Sequence, residues 1–171
     1  MGQNRGKQFE QVIKDAFLKV PNVSVDRLPD QVSGFKVTSA NPCDFIIYKK
    51  PHEYYIECKT THGNTLPLSN IRQNQWDGLL EKSRIDGVIA GVICWWVDKD
   101  VTFFLPIQLL EWAHKSSFKS VPYNFYDVWM WREAKLVQNP IEIDGKKKRV
   151  FFDYDMDLFF HKLDKEFRKY E

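Results

Sequence analysis

Eleven consecutive residues, Gly87 to Val97 (GVIAGVICWWV), carry no charge. Taken out of water, such a run must pair its backbone N–H and C=O groups elsewhere in the protein. Its β-branched and aromatic content reads as a strand. It is too short to cross a bilayer. A second strand, Val101 to Leu105, follows, with Asp98, Lys99 and Asp100 as the turn between them. Trp95 and Trp96 fall inside the first of these strands and are expected in the core rather than stacked on a ligand.

The rest of the chain supplies elements to cover that sheet. Phe9, Val12, Ile13, Ala16 and Phe17 form one apolar stripe, predicting a helix over 4 to 19 with Asn4 as N-cap and Pro21-Asn22 as its stop. Val23 to Leu28 reads as a short strand, and 29 to 43 as a loop rich in Pro, Ser, Gly and Asn. Asp44 to Tyr48 (DFIIY) and Tyr54 to Lys59 (YYIECK) read as strands joined through Lys50, Pro51 and His52. Helices are expected over Asn70 to Ser83, from Pro106 to about His114, and from Asp155 to Lys169. The stretch 116 to 134 is irregular and aromatic. Ile141 to Ile143 and Arg149 to Phe152 bracket Asp144-Gly145, a hairpin signal. No repeat or linker interrupts the 171 residues, so one α/β domain spanning 1 to 171 is expected: a central mixed sheet flanked by helices.

Several classes of chemistry find no support. The three cysteines, Cys43, Cys58 and Cys94, form no CxxC and suggest neither a disulfide framework nor zinc. His52, His62, His114 and His161 show no ligand spacing. There is no P-loop, dinucleotide fingerprint or nucleophile elbow. The start, MGQNRGKQFE, has no apolar core of a signal peptide, and Gly6 stands where a myristoylation pattern wants Ser or Thr. A cytoplasmic protein with no membrane partner is expected. A net charge of +2 neither demands nor excludes nucleic acid.

The informative segment is Pro42-Cys43-Asp44 and, thirteen residues after Asp44, Glu57-Cys58-Lys59. Side chains alternate along a strand, so Glu57 and Lys59 share a face with Tyr55, while Tyr54, Ile56 and Cys58 take the apolar face. In an antiparallel hairpin turning near Pro51, Asp44 falls opposite 57 to 59. Two carboxylates and an ammonium then converge. Neighbouring carboxylates raise each other's pKa, and a divalent cation is the natural compensation. Magnesium, a hard ion that binds through one or two carboxylates and keeps several waters, suits the pattern. Such an ion lowers the pKa of water and neutralises a phosphoryl oxygen, and Lys59 adds a donor for the attacking water or the transition state. A Glu and a Lys two apart on a strand more often form a solvated face. The upstream Asp, after a loop and before an apolar strand, brings catalysis level with that plainer reading.

These residues carry a resemblance. Asn4-Arg5-Gly6 with Phe9-Glu10, Asp44-Phe45, Glu57-Cys58-Lys59, and Leu66-Pro67-Leu68 with Asn70 and Gln75 together resemble the PD-(D/E)xK nuclease superfamily. More narrowly, they are similar to the RecU-type Holliday-junction resolvases. The likeness covers roughly 4 to 115 and leaves 116 to 171 unplaced. It implies a restriction-endonuclease-like core and a magnesium-dependent endonuclease, with manganese able to substitute. It implies that Asp44 and Glu57 ligate the metal, with the Cys58 main-chain carbonyl, and that Glu10 reaches it through water. Lys59 then positions water, Gln75 orients the phosphate or the water, and Arg5 contacts the DNA backbone. The implied partners are branched or duplex DNA and a second copy of the chain, in a cellular or phage-encoded recombination or repair enzyme. A restriction- or repair-type nuclease, or a DNA-binding module without catalysis, are the alternatives. The chain departs from the family in one respect: the interval from Pro21 to Asp44 is short for a basic stalk and holds only Arg27 and Lys36 as cations.

Three further features stay open on the residues alone. Glu10 fits either the edge of a site or a first-turn acid complementing a helix dipole. Lys146, Lys147, Lys148 and Arg149 fit a phosphate contact or a solvated turn equally well. Leu158, Phe159, Leu163 and Phe167 fit core or dimer packing, and Trp129 and Trp131 are candidates for an interface.

Overall fold

The uncharged run is a strand buried along nearly its whole length, and helices cover both of its faces. The computed structural model describes residues 3–29, 41–125 and 138–168, with side chains from residue 5 onward. The Asn4 side chain, Lys36, Trp129 and Trp131 lie outside the described residues. In chain order the elements are α1 (Gln3–Leu18), β1 (Ser24–Arg27), β2 (Phe45–Lys49), β3 (His52–Thr61), β4 (Thr65–Pro67), a 3-10 turn (Leu68–Asn70), α2 (Gln73–Ser83), β5 (Val88–Trp96), a second 3-10 turn (Val97–Lys99), β6 (Val101–Pro106), α3 (Ile107–Lys115), β7 (Ser120–Pro122), β8 (Ile141–Glu142), β9 (Gly145–Lys147), β10 (Phe152–Tyr154) and α4 (Met156–Phe167).

Six strands form a mixed sheet in the order β1-β2-β3-β5-β6-β8. Only β3 and β5 run parallel, and α2 lies within the crossover between them. The other neighbours are antiparallel. This is the expected α/β architecture, a central mixed sheet flanked by helices. Because side chains alternate, β5 feeds two cores at once. Trp95 joins Phe9, Ile13 and Phe17 of α1 and Phe159, Phe160 and Leu163 of α4. Trp96 joins Leu79 of α2 and Leu109, Leu110 and Ala113 of α3.

The C-terminal residues that the resemblance left unplaced complete the first core. Asp155 caps α4 by accepting from the Leu158 N–H at 3.0 Å. Phe159 meets the Phe17 ring at 6.1 Å and the Phe104 ring at 5.6 Å, and Phe160 meets Tyr54 at 5.2 Å. Phe159 and Leu163 are core residues as one of the two readings had it, whereas Leu158 faces outward.

Two local expectations are corrected. The helix expected from Asn70 begins at Gln73, because Ile71 and Arg72 are extended and Ile71 is buried instead of turning into the helix. The hairpin turn is not at Asp144-Gly145. β8 pairs with β6, whereas β9 pairs with β10, and Lys148 donates to the Phe151 carbonyl at 2.8 Å around a two-residue tip, Arg149-Val150. Ile141 and Ile143 are drawn into the core, and that separates β8 from the hairpin. The short pair β4–β7 had no alternating pattern to announce it.

Truncating a buried phenylalanine typically costs about 3–5 kcal/mol. Phe159→Ala is expected to lose that much in urea unfolding. A loss below about 1 kcal/mol would show that α4 does not belong to the core.

Candidate active site

β2 is shorter than the strand beside it. The pairing with β3 ends at Phe45↔Ile56, while β3 runs on to Thr61, paired there only with β5. From Glu57 onward one edge of β3 therefore has no strand beside it. Asp44 fills the first missing rung. Its N–H donates to the Ile56 carbonyl at 3.1 Å, and its Oδ2 accepts from the Cys58 N–H at 2.8 Å. In an extended strand the carbonyl of a residue leaves from the same edge as its N–H. The Cys58 carbonyl thus faces the notch that Asp44 closes, and both residues line the cleft there.

Glu57 and Lys59 stand on the α2 face of β3, as alternation from Tyr55 requires. Glu57 is 3% exposed. Its Oε1 accepts from Lys59 Nζ at 2.9 Å and from Gln75 Nε2 at 2.7 Å. Gln75 Oε1 accepts from Lys59 Nζ at 3.2 Å and from the Arg72 N–H at 3.1 Å. Gln75 sits at the third position of α2, where a side chain can bond back to the residue before the helix. Donor and acceptor are both used, which an amide can do and a carboxylate cannot. Gln75 therefore ties the helix start to both members of the Glu-x-Lys pair.

The cleft holds about 460 Å³ and also takes in Lys7, Glu10, Asn41, Arg72 and Asn74. Glu10 reaches it from α1 while its Oε2 accepts from Arg27 of β1 at 2.9 Å. The segment before Asp44 is pressed against α2. Asn74 donates to the Asn41 carbonyl at 3.1 Å, and a Cβ on Gly78 would lie 2.4 Å from the Pro42 Cβ. Gly78 is a poor helix former, but only a residue without a side chain lets Pro42 approach so closely.

Burial dominates the electrostatics. Asp44 is pushed up to about 7, first by desolvation and then by the charge of Glu57, against the pull of the Cys58 N–H. Glu57 is also raised by burial, in spite of the Lys59 ammonium beside it. The charge of each carboxyl bears on the other across the cleft, and that adds to the cost of ionising both when no cation stands between them. Burial also pushes the Cys43 thiol up to about 12 and the Cys58 thiol well above its ordinary value, which leaves both as inert core groups.

The structure brings Glu10, Asp44, Glu57, Cys58, Lys59 and Gln75 to one cleft. It does not bring Arg5 to the cleft lining, and it holds Lys146–Arg149 on the β9–β10 hairpin instead. Lys7, Arg72 and the Glu10 partner Arg27 escaped sequence reasoning. Lys7 stands three residues before Glu10, one helical turn away, and that spacing was a usable signal. Arg27 depended on a contact between α1 and β1 that no local pattern reveals. Among the described residues, no three His, Cys, Asp or Glu side chains approach closely enough to hold a metal alone. A donor set here must draw on the Cys58 carbonyl and water besides Asp44 and Glu57. One observation fits a cation: the buried Oε2 of Glu57 accepts no hydrogen bond.

A Glu on the first helix, an Asp at a strand entry and a Glu-x-Lys on the open edge of the next strand are the arrangement that the resemblance to PD-(D/E)xK nucleases implies. The family model for recombination protein U (RecU) matches residues 7–137, and the chain belongs to that family. Membership makes it an endonuclease of the junction-resolving kind, as the motifs implied. Among solved structures it is similar to Hjc of Archaeoglobus fulgidus, a Holliday junction resolvase from an archaeal hyperthermophile. The likeness has 23% identity, a TM-score of 0.44, and covers 60% of this chain and 78% of that one. No curated protein matches the chain.

A carboxyl raised from its ordinary 3.8 to about 7 holds a proton that the unfolded chain releases. Folding stability from this group is then full at low pH and is lost as pH rises toward and through 7. Asp44→Asn keeps the acceptor for the Cys58 N–H and removes the charge. In EDTA its Tm is expected to exceed that of the unaltered protein at about pH 8, with the two converging toward about pH 4. Equal values at the higher pH would mean that Asp44 carries its charge without cost.

Proposed function

We propose that the cleft is a magnesium-dependent centre that hydrolyses DNA phosphodiesters at four-way junctions. The observation that carries this reading is the buried Glu57 carboxylate, whose bare Oε2 stands beside a second desolvated carboxyl, Asp44. A desolvated, unpaired carboxylate oxygen is costly, and a divalent cation is the partner that removes the cost. Asp44, Glu57 and the Cys58 carbonyl are its ligands, and Glu10 contributes through water. Manganese, with similar preferences for oxygen, substitutes.

Magnesium, when bound, supplies the positive charge that draws a phosphoryl oxygen and a hydrolytic water together and eases loss of a proton from that water. The chain does the rest. Glu57 and Gln75 hold Lys59 so that its Nζ faces the cleft, where it orients the water or meets the charge that grows on the phosphate. Gln75 acts as a positioning residue through Lys59 and Glu57. Lys7 and Arg72, exposed at the rim, meet the incoming backbone, and Arg5 extends that contact along α1. Water attacks phosphorus directly and the 3′ oxygen leaves, with no covalent intermediate on the protein. Two strands of a symmetric junction call for two such centres, hence a homodimer acting in the cytoplasm on branched DNA. Residues 1 to 171 work as a single nuclease domain.

A cleavage panel in magnesium, offering a four-way junction, linear duplex, a flap and single strands, tests the reading. Paired nicks confined to the junction are expected. Glu57→Gln and Asp44→Asn are each expected to lower cleavage at least about a hundredfold, since a bound cation contributes several kcal/mol. Both should still bind DNA. Cutting by either variant at the unaltered rate sinks the metal assignment, and equal cutting of linear duplex sinks the junction.

Gly78→Ala probes how Asp44 is placed. The helix gains propensity, but Pro42 must move, and a misplacement of about 1 Å can cost roughly a hundredfold in rate. Cleavage is expected to fall at least about tenfold while helix content by circular dichroism is unchanged. Undiminished cleavage would show that the 41–43 segment is free to shift.

A further inference from the structure

The β9–β10 hairpin lies beyond the residues that the family model matches, and its charge is one-sided. Between Gly145 and Tyr154 it carries Lys146, Lys147, Lys148 and Arg149 against one acid, Asp153. All four cations are exposed. They are not equivalent. Lys147 is paired with Asp100 and lies over the Phe152 ring, 5.8 Å from its centroid. Asp153 is taken by Lys19 at 2.7 Å. That leaves Lys146 along the strand and Lys148 and Arg149 at the turn, with exposed Val150 beside them.

The hairpin is pinned close to the cleft. Phe151 packs on Trp95 with ring centroids 5.4 Å apart, and Trp95 packs on Phe9 at 5.7 Å. Phe9 immediately precedes Glu10, which lines the cleft. Trp95 is also in register with Thr60, the neighbour of Lys59. Two ring contacts therefore join Phe151 of the hairpin to Phe9, and these two rings lie no farther apart than the ~12 Å width of a DNA major groove.

We propose that this hairpin is a second DNA-binding element, which grips the phosphates of a duplex arm across a groove from the scissile bond. The proposal rests on the cleft being a DNA nuclease. Lys148 and Arg149 supply the contacts, while Lys147 and Phe151 hold the hairpin in place. The contact is to backbone and independent of sequence, and it applies alike to a junction arm and to linear duplex. It gives this chain, with its short interval before Asp44, a basic projection from a different part of the fold.

The test is binding of a junction and a linear duplex in metal-free buffer over a range of salt, with the full chain. Each phosphate contact contributes a slope of about 0.9 in log K against log salt. Lys148→Ala with Arg149→Ala is expected to flatten the slope by about 2 and to weaken both substrates by roughly tenfold at moderate salt. Lys148→Arg with Arg149→Lys should keep the original slope. Lys165→Ala, on the exposed face of α4, is the control for total charge. An unchanged slope, or a loss no larger than that of the control, overturns the hairpin while leaving the nuclease reading intact. If the unaltered protein binds neither DNA, both readings fall together.

Discussion

The site depends on one substituted hydrogen bond. Beyond the start of β2, the backbone of β3 would present an unpaired N–H at a buried edge, which folded proteins avoid. The Asp44 side chain answers that N–H, and in doing so it brings a carboxyl out of water beside Glu57. Extending β2 by one more residue pair would satisfy the backbone equally well and would abolish the notch. The site is therefore built by a strand that starts late, and the residue just before it becomes the first acid of the proposed centre.

The two faces of the sheet hold this arrangement in different ways. On one face α2 is fastened by Gln75 to the Glu-x-Lys pair and by the Pro42–Gly78 approach to the segment before Asp44. On the other, α1 is fixed by Phe9, Ile13 and Phe17, and that fixation delivers Glu10 to the end of the sheet. Each core reaches the cleft at one cysteine, Cys58 and Cys43, and each sets the position of one acid relative to the other two. Trp95 and Trp96, adjacent in the chain and pointing opposite ways, connect the two cores through a single strand.

Much of this could be read from residues alone. The alternation along YYIECK assigns Glu57 and Lys59 to one face, and the DFIIY strand, turned at Pro51, sets Asp44 against them. The stripe through α1 and the pattern of α4 are equally legible, because each is a local periodicity. What escaped detection is non-local. The pairing of β4 with β7, the departure of β8 to the edge of the main sheet, and the contact of Glu10 with Arg27 each join residues distant in sequence. The Asp144-Gly145 signal misled for the same reason: a turn dipeptide shows that the chain can bend there, and not which strands flank the bend. Gly78 is the instructive case. In sequence it is an unfavourable residue within a helix, and its reason becomes visible only with Pro42 against it.

The cleft sorts its charges by depth. Asp44 and Glu57 form a desolvated floor, Glu10 stands part-buried above them, and Lys7 and Arg72 are exposed at the rim. A polyanion approaching such a cleft meets cations first. The floor, once ionised, repels it, because two carboxylates beside one Lys59 remain short of positive charge. Burial first, and then the charge of Glu57, raises Asp44 to about 7, and burial raises Glu57 as well. In the proposed metal centre, metal and proton would compete for the same oxygens, and affinity for the cation would fall as pH drops below about 7, the value to which Asp44 is raised. The same desolvation that makes the empty floor costly makes a cation held there a stronger electrostatic partner for a phosphate than it would be in water.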